Sequence, residues 1–386
     1  IHGHKAGDHL LVNLSERVLP LLNKHDVCAR IGGNEFGIIL FGREDHDQCS
    51  DFAKRLIESI EVAFYTDAHE KVMVGVNIGA ALFPDDASDA EELMKYADLA
   101  MFAAKKSAKS TLKFYSKALK EASAKRLEME SLLRKAIENE QFELYLQPIL
   151  DLDSGEITKA EALIRWNAAD GSIINPDEFI PLAEQTGLIV PIGRWVINRA
   201  GEMLKTLLLH KATLKLSVNL SPKQIVDRKL FSFLKSVVKH TGIPANNLEL
   251  ELTEGVLINN FDKVHKLLND VRNLGISVSI DDFGTGYSSL AYLQKLPIDH
   301  LKIDRSFVQD LDNNDNDKAI VLAVIAMAHS LKLGVIAEGV ENQQQHRFLV
   351  DNHCDTAQGF LFSEPVPFEQ FCELLIEEKK HTHLPK

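Results

Sequence analysis

From residue 142 to residue 358 the sequence alternates short strand-forming runs with helical stretches. The runs cover 142–147, 157–165, 214–219, 248–253, 276–281, 300–304, 335–338 and 355–358. Eight such runs over roughly 240 residues predict an eight-stranded (β/α)8 barrel of the TIM type, an α/β fold. A doubly wound open sheet is the competing architecture. No glycine-rich phosphate loop follows the first run to favour it.

The runs carry chemistry on one face. Residues two apart in a strand share a face. Over 248–253, Leu248, Leu250 and Leu252 oppose Glu249, Glu251 and Thr253. Ile276, Val278 and Ile280 oppose Ser277, Ser279 and Asp281, and Leu214, Leu216 and Val218 oppose Lys215, Ser217 and Asn219. Glu161, Leu163 and Arg165 share a face, as do Lys302 and Asp304, and Glu338 follows the apolar run Val335-Ile336-Ala337. Apolar faces are expected against outer helices and polar faces inside the barrel. Asn219, Glu251, Asp281, Lys302, Glu338 and Gln358 then fall near strand ends, where such barrels carry their active sites. Converging buried carboxylates are costly unless cations lie between them, and oxygen donors select Mg²⁺, Mn²⁺ or Ca²⁺. Taken singly, each of these acids also reads as a solvated turn or a helix N-cap. Asp281-Asp282-Phe283-Gly284-Thr285-Gly286 also reads as a tight turn, and Glu338-Gly339-Val340-Glu341 as a capped loop.

The first region, 1–115, has an α+β pattern: strands at 27–31 and 36–41 about Gly32-Gly33, a helix at 48–63, a strand at 72–83 and a helix at 89–106. Between the regions, 116–141 is charged and helical, with Met129, Leu132, Leu133, Ala136 and Ile137 as one apolar stripe. It reads either as a packing helix or as a signalling helix between domains. The expected divisions are 1–115, a linker helix at 116–138, and a barrel at 139–380.

A formal net charge of −13 argues against DNA, RNA or membrane-surface binding. The four cysteines, Cys28, Cys49, Cys354 and Cys372, form no C-x-x-C pair, which disfavours zinc and thioredoxin-like chemistry. They fit a reducing, cytoplasmic setting. No apolar run is long enough to span a bilayer and no signal peptide is evident. The chain opens on Ile1, so the expectation is a piece of a longer protein, one that an upstream anchor could tie to a membrane.

The motifs of residues 127–375 resemble the EAL domain of cyclic di-GMP phosphodiesterases. They are Glu161-Ala162-Leu163-Ile164-Arg165-Trp166, Ser217-Val218-Asn219-Leu220-Ser221-Pro222, Glu251-Leu252-Thr253-Glu254, Asp281-Asp282-Phe283-Gly284-Thr285-Gly286, Leu301-Lys302-Ile303-Asp304, Glu338-Gly339-Val340-Glu341 and Gln358-Gly359-Phe360. The resemblance implies hydrolysis of cyclic di-GMP to linear pGpG with two ions, Mg²⁺ or Mn²⁺. It implies Glu161, Asn219, Glu251 and Asp281 as ligands of one ion, and Asp281, Asp282 and Glu338 about the other. It also implies Lys302 holding the nucleophilic water or phosphate, Glu254 bracing the 281–289 loop, and Arg165, Leu163, Asp304 and Gln358 as substrate-contacting or supporting positions. A homodimer through this domain is a further implication. A non-catalytic cyclic di-GMP receptor is the alternative, but no ring residue is missing.

Residues 1–115 resemble a partial, degenerate GGDEF (diguanylate cyclase) domain. Gly3-His4 and Gly7-Asp8 match text that follows the family's first metal-binding strand, and the signature reads Gly32-Gly33-Asn34-Glu35-Phe36. Asn34 stands where an acid is usual, which argues against cyclase activity and against a bifunctional enzyme. Asn23 stands three residues before Asp26 where the product-inhibition site needs Arg. Lys105 keeps a phosphate-binding position, whereas Phe102 and Ala108-Lys109-Ser110 depart from the family. A regulatory or structural module is the expectation; a GTP-binding allosteric module is the alternative.

Overall fold

The computed structural model describes residues 3–43, 45–65, 71–105, 110–256, 261–285, 293–312 and 314–382. Ala108, Lys109, Gly286 and Ser289 lie outside the described residues. The chain divides into two compact units, Ile1–Glu128 and Met129–Lys386.

The second unit is a closed eight-stranded barrel. Its strands are β1 (Phe142–Asp151), β2 (Ile157–Asn167), β3 (Lys215–Leu220), β4 (Leu248–Thr253), β5 (Ser277–Phe283), β6 (His300–Ile303), β7 (Gly334–Ala337) and β8 (Thr356–Ala357). From β2 to β8 neighbours pair in parallel, and β1 closes the ring by pairing with both β2 and β8. The α/β barrel expected from the sequence is present, with one strand reversed: β1 runs antiparallel to both neighbours. The reason is local. Only residues 152–156 join β1 to β2, and a parallel crossover needs about a dozen residues. A hairpin is what so short a connection permits.

Helices cover the outside. Ile189–His210 shows why they form: Ile192, Val196, Ile197, Ala200, Met203, Leu204 and Leu207 recur at helical spacing and are all buried. The side chains of Asn175 and Asn342 cap the helices Pro176–Thr186 and Gln343–Asp351, each accepting from backbone N–H groups of the first turn. Under the helices lie the outward faces of the strands, including Leu216, Val218, Leu250, Leu252, Val278, Ile280, Leu301, Ile303 and Val335, all buried.

The inner faces are polar and stack in layers. In the lower layer Lys159 Nζ lies 3.3 Å from Glu249 Oε2, His300 Nδ1 lies 3.2 Å from Glu249 Oε1, and Lys215 Nζ donates to Ser277 Oγ at 3.2 Å. Burial alone would raise the Glu249 carboxyl, but Lys159 and His300 hold it well below its ordinary value. One strand step higher, Glu161, Glu251, Ser279 and Lys302 form the next layer, all buried.

In the first unit, Val27–Gly32 and Glu35–Ile39 form an antiparallel hairpin with Asn34 in its turn. The hairpin leads to a helix at His46–Glu61. The predicted strand at 72–83 is two separate pieces. Lys71–Val72 pairs antiparallel with Phe64–Tyr65, and Asn77–Ala80 pairs in parallel with Thr111–Phe114. Gly79 shows the tightness of the second piece against the helix Ala90–Ala104. A Cβ there would stand 2.1 Å from the Ala97 carbonyl oxygen. A helix at Gly3–Val18 was not foreseen.

The helix Lys117–Glu138 crosses the division between units. Beyond Met129, Leu133 and Ala136 are fully buried in the barrel unit's core, and Met129 and Ile137 pack against it. Leu132 departs from the expected stripe and is 42% exposed.

Candidate active site

The site centres on Lys302, which β6 carries into the barrel with no exposed surface. Its Nζ lies 2.6 Å from Glu251 Oε2 and 2.6 Å from Glu338 Oε1. Asp281 Oδ1 and Glu161 Oε2 follow at 3.4 and 3.5 Å. Strands β2, β4 and β5 and the residue after β7 therefore deliver four carboxylates to one ammonium. The register explains part of this, since Asn219, Glu251 and Ser279 are cross-strand partners on β3, β4 and β5. Asn219 is exposed at the mouth, where its Nδ2 donates to Glu161 Oε1 at 2.6 Å. Gln358 donates to the other oxygen, Glu161 Oε2, at 2.8 Å.

Asp282 joins the group through a backbone irregularity. In a regular strand Asp281 and Asp282 would point to opposite faces. Here the β5–β6 register shifts between Ile280 and Phe283, and Asp282 adopts a left-handed φ of 55°. Oxygens of Asp281, Asp282 and Glu338 then lie within 4.8 Å of one another. Gly284, at φ 102°, completes the turn against the Phe307 ring, which a Cβ would approach to 2.9 Å. Glu254 braces it from below: its Oε2 accepts from Gly284 N at 3.2 Å, and its own N–H donates to the Asp281 carbonyl at 3.2 Å.

Five carboxylates, those of Glu161, Glu251, Asp281, Asp282 and Glu338, thus surround one ammonium, and their electrostatics show the imbalance. Burial would lower Lys302, but Glu161, Glu251, Glu338 and Asp281 hold it well above its ordinary value, so it stays protonated. Burial also raises Glu161, yet Lys302 and the amides of Gln358 and Asn219 outweigh it and keep that carboxyl low. Glu251, Glu338 and Asp282 go the other way. Burial and the Glu161 charge raise Glu251 well above the carboxylate range. Burial pushes Glu338 up to about 8, with Lys302 opposing and Asp281 adding to the rise. Burial, Asp281 and Asp304 push Asp282 up to about 6. Glu251 Oε1 is buried without a hydrogen-bond partner among the described residues. A cluster with too few cations and an unpartnered buried oxygen has the donor set and the charge to hold divalent ions.

The remaining expected residues stand around this ring. Arg165, half-buried on β2, donates through Nη1 to the Ile164 carbonyl at 2.9 Å and lies over the Tyr145 ring, 5.4 Å from its centroid. Leu163 is half-buried on the same strand. Asp304 caps the short helix Arg305–Gln309 through Ser306, and its charge bears on Asp282. In the first unit Lys105 pairs with Glu35 of the signature hairpin at 3.0 Å. Asp26 accepts from Asn23 N, Phe41 N and Arg43 Nη2, which ties down the base of that hairpin.

One residue of the site escaped the sequence reading. Gln147 on β1 is buried beside Glu161 and bonded to Gln358. It stands opposite Glu161 in the antiparallel register of β1 and β2.

Residues 130–365 match the EAL domain model, and residues 1–111 match the model for the diguanylate cyclase, GGDEF domain. The chain belongs to the EAL family. The EAL match follows the GGDEF match in the chain, and two curated relatives align with nearly all of it. Cyclic di-GMP phosphodiesterase NbdA of Pseudomonas aeruginosa is 41% identical over 374 residues, spanning 97% of this chain and 48% of that protein. Bifunctional diguanylate cyclase/cyclic di-GMP phosphodiesterase MucR of the same organism is 37% identical over 370 residues, spanning 96% of this chain and 54% of that protein. The chain therefore spans about half the length of these relatives. Among solved structures, the PaMucR phosphodiesterase in complex with c-di-GMP is similar at a TM-score of 0.62 and 39% identity, covering 63% of this chain and 99% of that chain. Among the described residues, no helix is long and apolar enough to cross a membrane.

Proposed function

We propose that the EAL unit hydrolyses one phosphodiester of cyclic di-GMP, releasing linear pGpG, with two divalent ions, Mg²⁺ or Mn²⁺. The observation that carries this reading is the convergence of Glu161, Glu251, Asp281 and Glu338 on Lys302, with Asp282 turned toward the same mouth. Glu161, Asn219, Glu251 and Asp281 are the residues that would hold one ion, and Asp281, Asp282 and Glu338 the other. When bound, two such ions lower the pKa of water and stabilise the attacking and leaving oxygens of an in-line displacement.

The chain's own residues supply the rest. Lys302, whose ammonium the surrounding carboxylates favour, is positioned as a donor to the attacking water or to a phosphate oxygen. Arg165 offers a planar fork of donors to a phosphate at the rim; Leu163 on the same strand and Asp304 after β6 are the other substrate-contacting positions of this reading. Asn219 and Gln358 hold the two oxygens of Glu161 in one orientation. Glu254 fixes the turn that presents Asp281 and Asp282.

Residues 1–111 act as a regulatory module without cyclase activity in this reading, because the Asn34 amide lacks the charge that two cations and a triphosphate need. GTP is its candidate ligand. A cytoplasmic setting and a homodimer through the EAL unit complete the proposal.

The deciding experiment incubates purified protein with cyclic di-GMP and either metal and follows pGpG. Turnover is expected with Mg²⁺ or Mn²⁺ and none after chelation. Binding of cyclic di-GMP without turnover in either metal would instead establish a receptor. Adding GTP to the same assay is expected to change the rate without forming new cyclic di-GMP. Light scattering of the same sample is expected to give twice the chain mass.

A further inference from the structure

A line of amides leads from the backbone of the last barrel loop to Glu161. Gln147 Nε2 donates to the Ser363 carbonyl at 3.0 Å. Gln147 Oε1 accepts from Gln358 Nε2 at 2.7 Å, and the same Nε2 donates to Glu161 Oε2 at 2.8 Å. Gln147, Gln358 and Glu161 are all buried.

The polarity of this line is fixed at its far end. A backbone carbonyl can only accept, so the NH₂ of Gln147 must face Ser363 and its oxygen must face Gln358. Gln358 must then turn its NH₂ inward, and its two hydrogens serve Gln147 and Glu161. An ionised carboxylate accepts only, so this orientation is also the one Glu161 requires. The oxygen of Gln358 is left buried without a partner among the described residues. Such an orientation is unfavourable for Gln358 alone and is held by Gln147 and Glu161 together. The reversed strand β1 makes this possible, because it sets Gln147 directly opposite Glu161 in register.

We infer that Gln147 is a positioning residue that fixes Glu161 for metal binding, acting through the amide of Gln358. This rests on the reading of Glu161 as a metal ligand. Without Gln147 Oε1, only Glu161 holds the Gln358 NH₂ inward against its unpartnered oxygen, so the amide that orients the carboxylate is less firmly fixed. Loss of a partner that orients a metal-ligating group typically costs 10–100-fold in metal affinity.

The test is a double-variant cycle read by calorimetric Mn²⁺ binding to the full chain without substrate. Gln147→Leu and Gln358→Leu are each expected to weaken Mn²⁺ about 10–100-fold. The double variant is expected to bind no more weakly than Gln358→Leu alone, because Gln147 acts only through that amide. Turnover by Gln147→Leu is expected to recover to within a few-fold at saturating Mn²⁺. If Gln147→Leu loses its thermal transition, Gln147→Met takes its place in the cycle. Mn²⁺ affinity within threefold of the parent, or losses that add in the double variant, overturns the inference. Mn²⁺ binding that obeys the cycle without any turnover overturns the phosphodiesterase reading and leaves Gln147 in its role. A parent protein that does not bind Mn²⁺ overturns both.

Discussion

Replacing Lys159 by Met tests whether the polar floor of the barrel is held by charge pairing. Glu249 has no exposed surface, and Lys159 is 6% exposed. Their charges lie 3.3 Å apart. At that distance two unit charges attract by about 5 kcal/mol at an effective dielectric of about 20. Breaking a buried pair from one side costs about 3–5 kcal/mol, because the surviving charge keeps its desolvation penalty. His300, 3.2 Å from the other oxygen of Glu249, remains and takes part of the load. The lower end of the range, about 3 kcal/mol, is therefore expected. For a unit of this size each kcal/mol moves the melting temperature by about 2–4 °C, so the midpoint should fall by about 6–12 °C. Thermal unfolding at pH 7.5, followed by circular dichroism, measures it. Adding Glu249→Met removes the stranded charge and should recover most of the loss. A single variant that melts within 2 °C of the parent by this scale, or a double variant no better than the single, would refute the pairing argument.

The site and its surroundings make further predictions. Glu161→Ala is expected to abolish turnover while leaving cyclic di-GMP binding measurable by calorimetry; near-normal rates would remove Glu161 from the metal set. Glu254→Ala takes the acceptor from Gly284 N and should lower kcat/KM about 10–100-fold with little change in overall stability, since Glu254 positions the turn and does not join the ring. Burial pushes Cys354 up to about 12 from an ordinary thiol value near 9. Below the lower value neither state ionises, and above it the unfolded state loses its proton first. The stability that Cys354 contributes is therefore lost as pH rises from about 9 to about 12. At pH 8 its alkylation by iodoacetamide in the native protein should be slower by orders of magnitude than in urea, and equal rates would contradict the burial.

The barrel and the inward set of acids were legible because strand alternation has a period of two and a barrel has one inside. Glu249 and Glu251 fall on one face of β4 whichever neighbours it has, and so do Lys302 and Glu161 on theirs. What alternation cannot carry is direction. A hairpin and a parallel crossover look alike strand by strand, so the reversal of β1 was missed, and Gln147 with it. The five residues between β1 and β2 held the signal, since so short a link excludes a crossover helix. The predicted strand at 72–83 failed for a related reason. Apolar content continues through Met73–Val76, but the pairing partners change, from Phe64–Tyr65 to Thr111–Phe114.

The pair Asp281-Asp282 shows where a local rule has to break for the chemistry to exist. A regular strand would send one of these carboxylates into the barrel and the other into the apolar shell, where an unpaired charge is costly. The register shift before Phe283 and the left-handed backbone at Asp282 bring both to the mouth, beside Glu338. Asp tolerates that backbone better than most residues, at a cost of the order of 1 kcal/mol. Gly284 then makes the turn, Phe307 closes over it, and Glu254 ties it to the end of β4. The strain is thus held by Gly284, Phe307 and Glu254, none of which joins the acid cluster itself. Substitutions at Glu254 or Gly284 should therefore act on the ring through the backbone of this turn, whereas substitutions at Asp281 or Asp282 act on it directly.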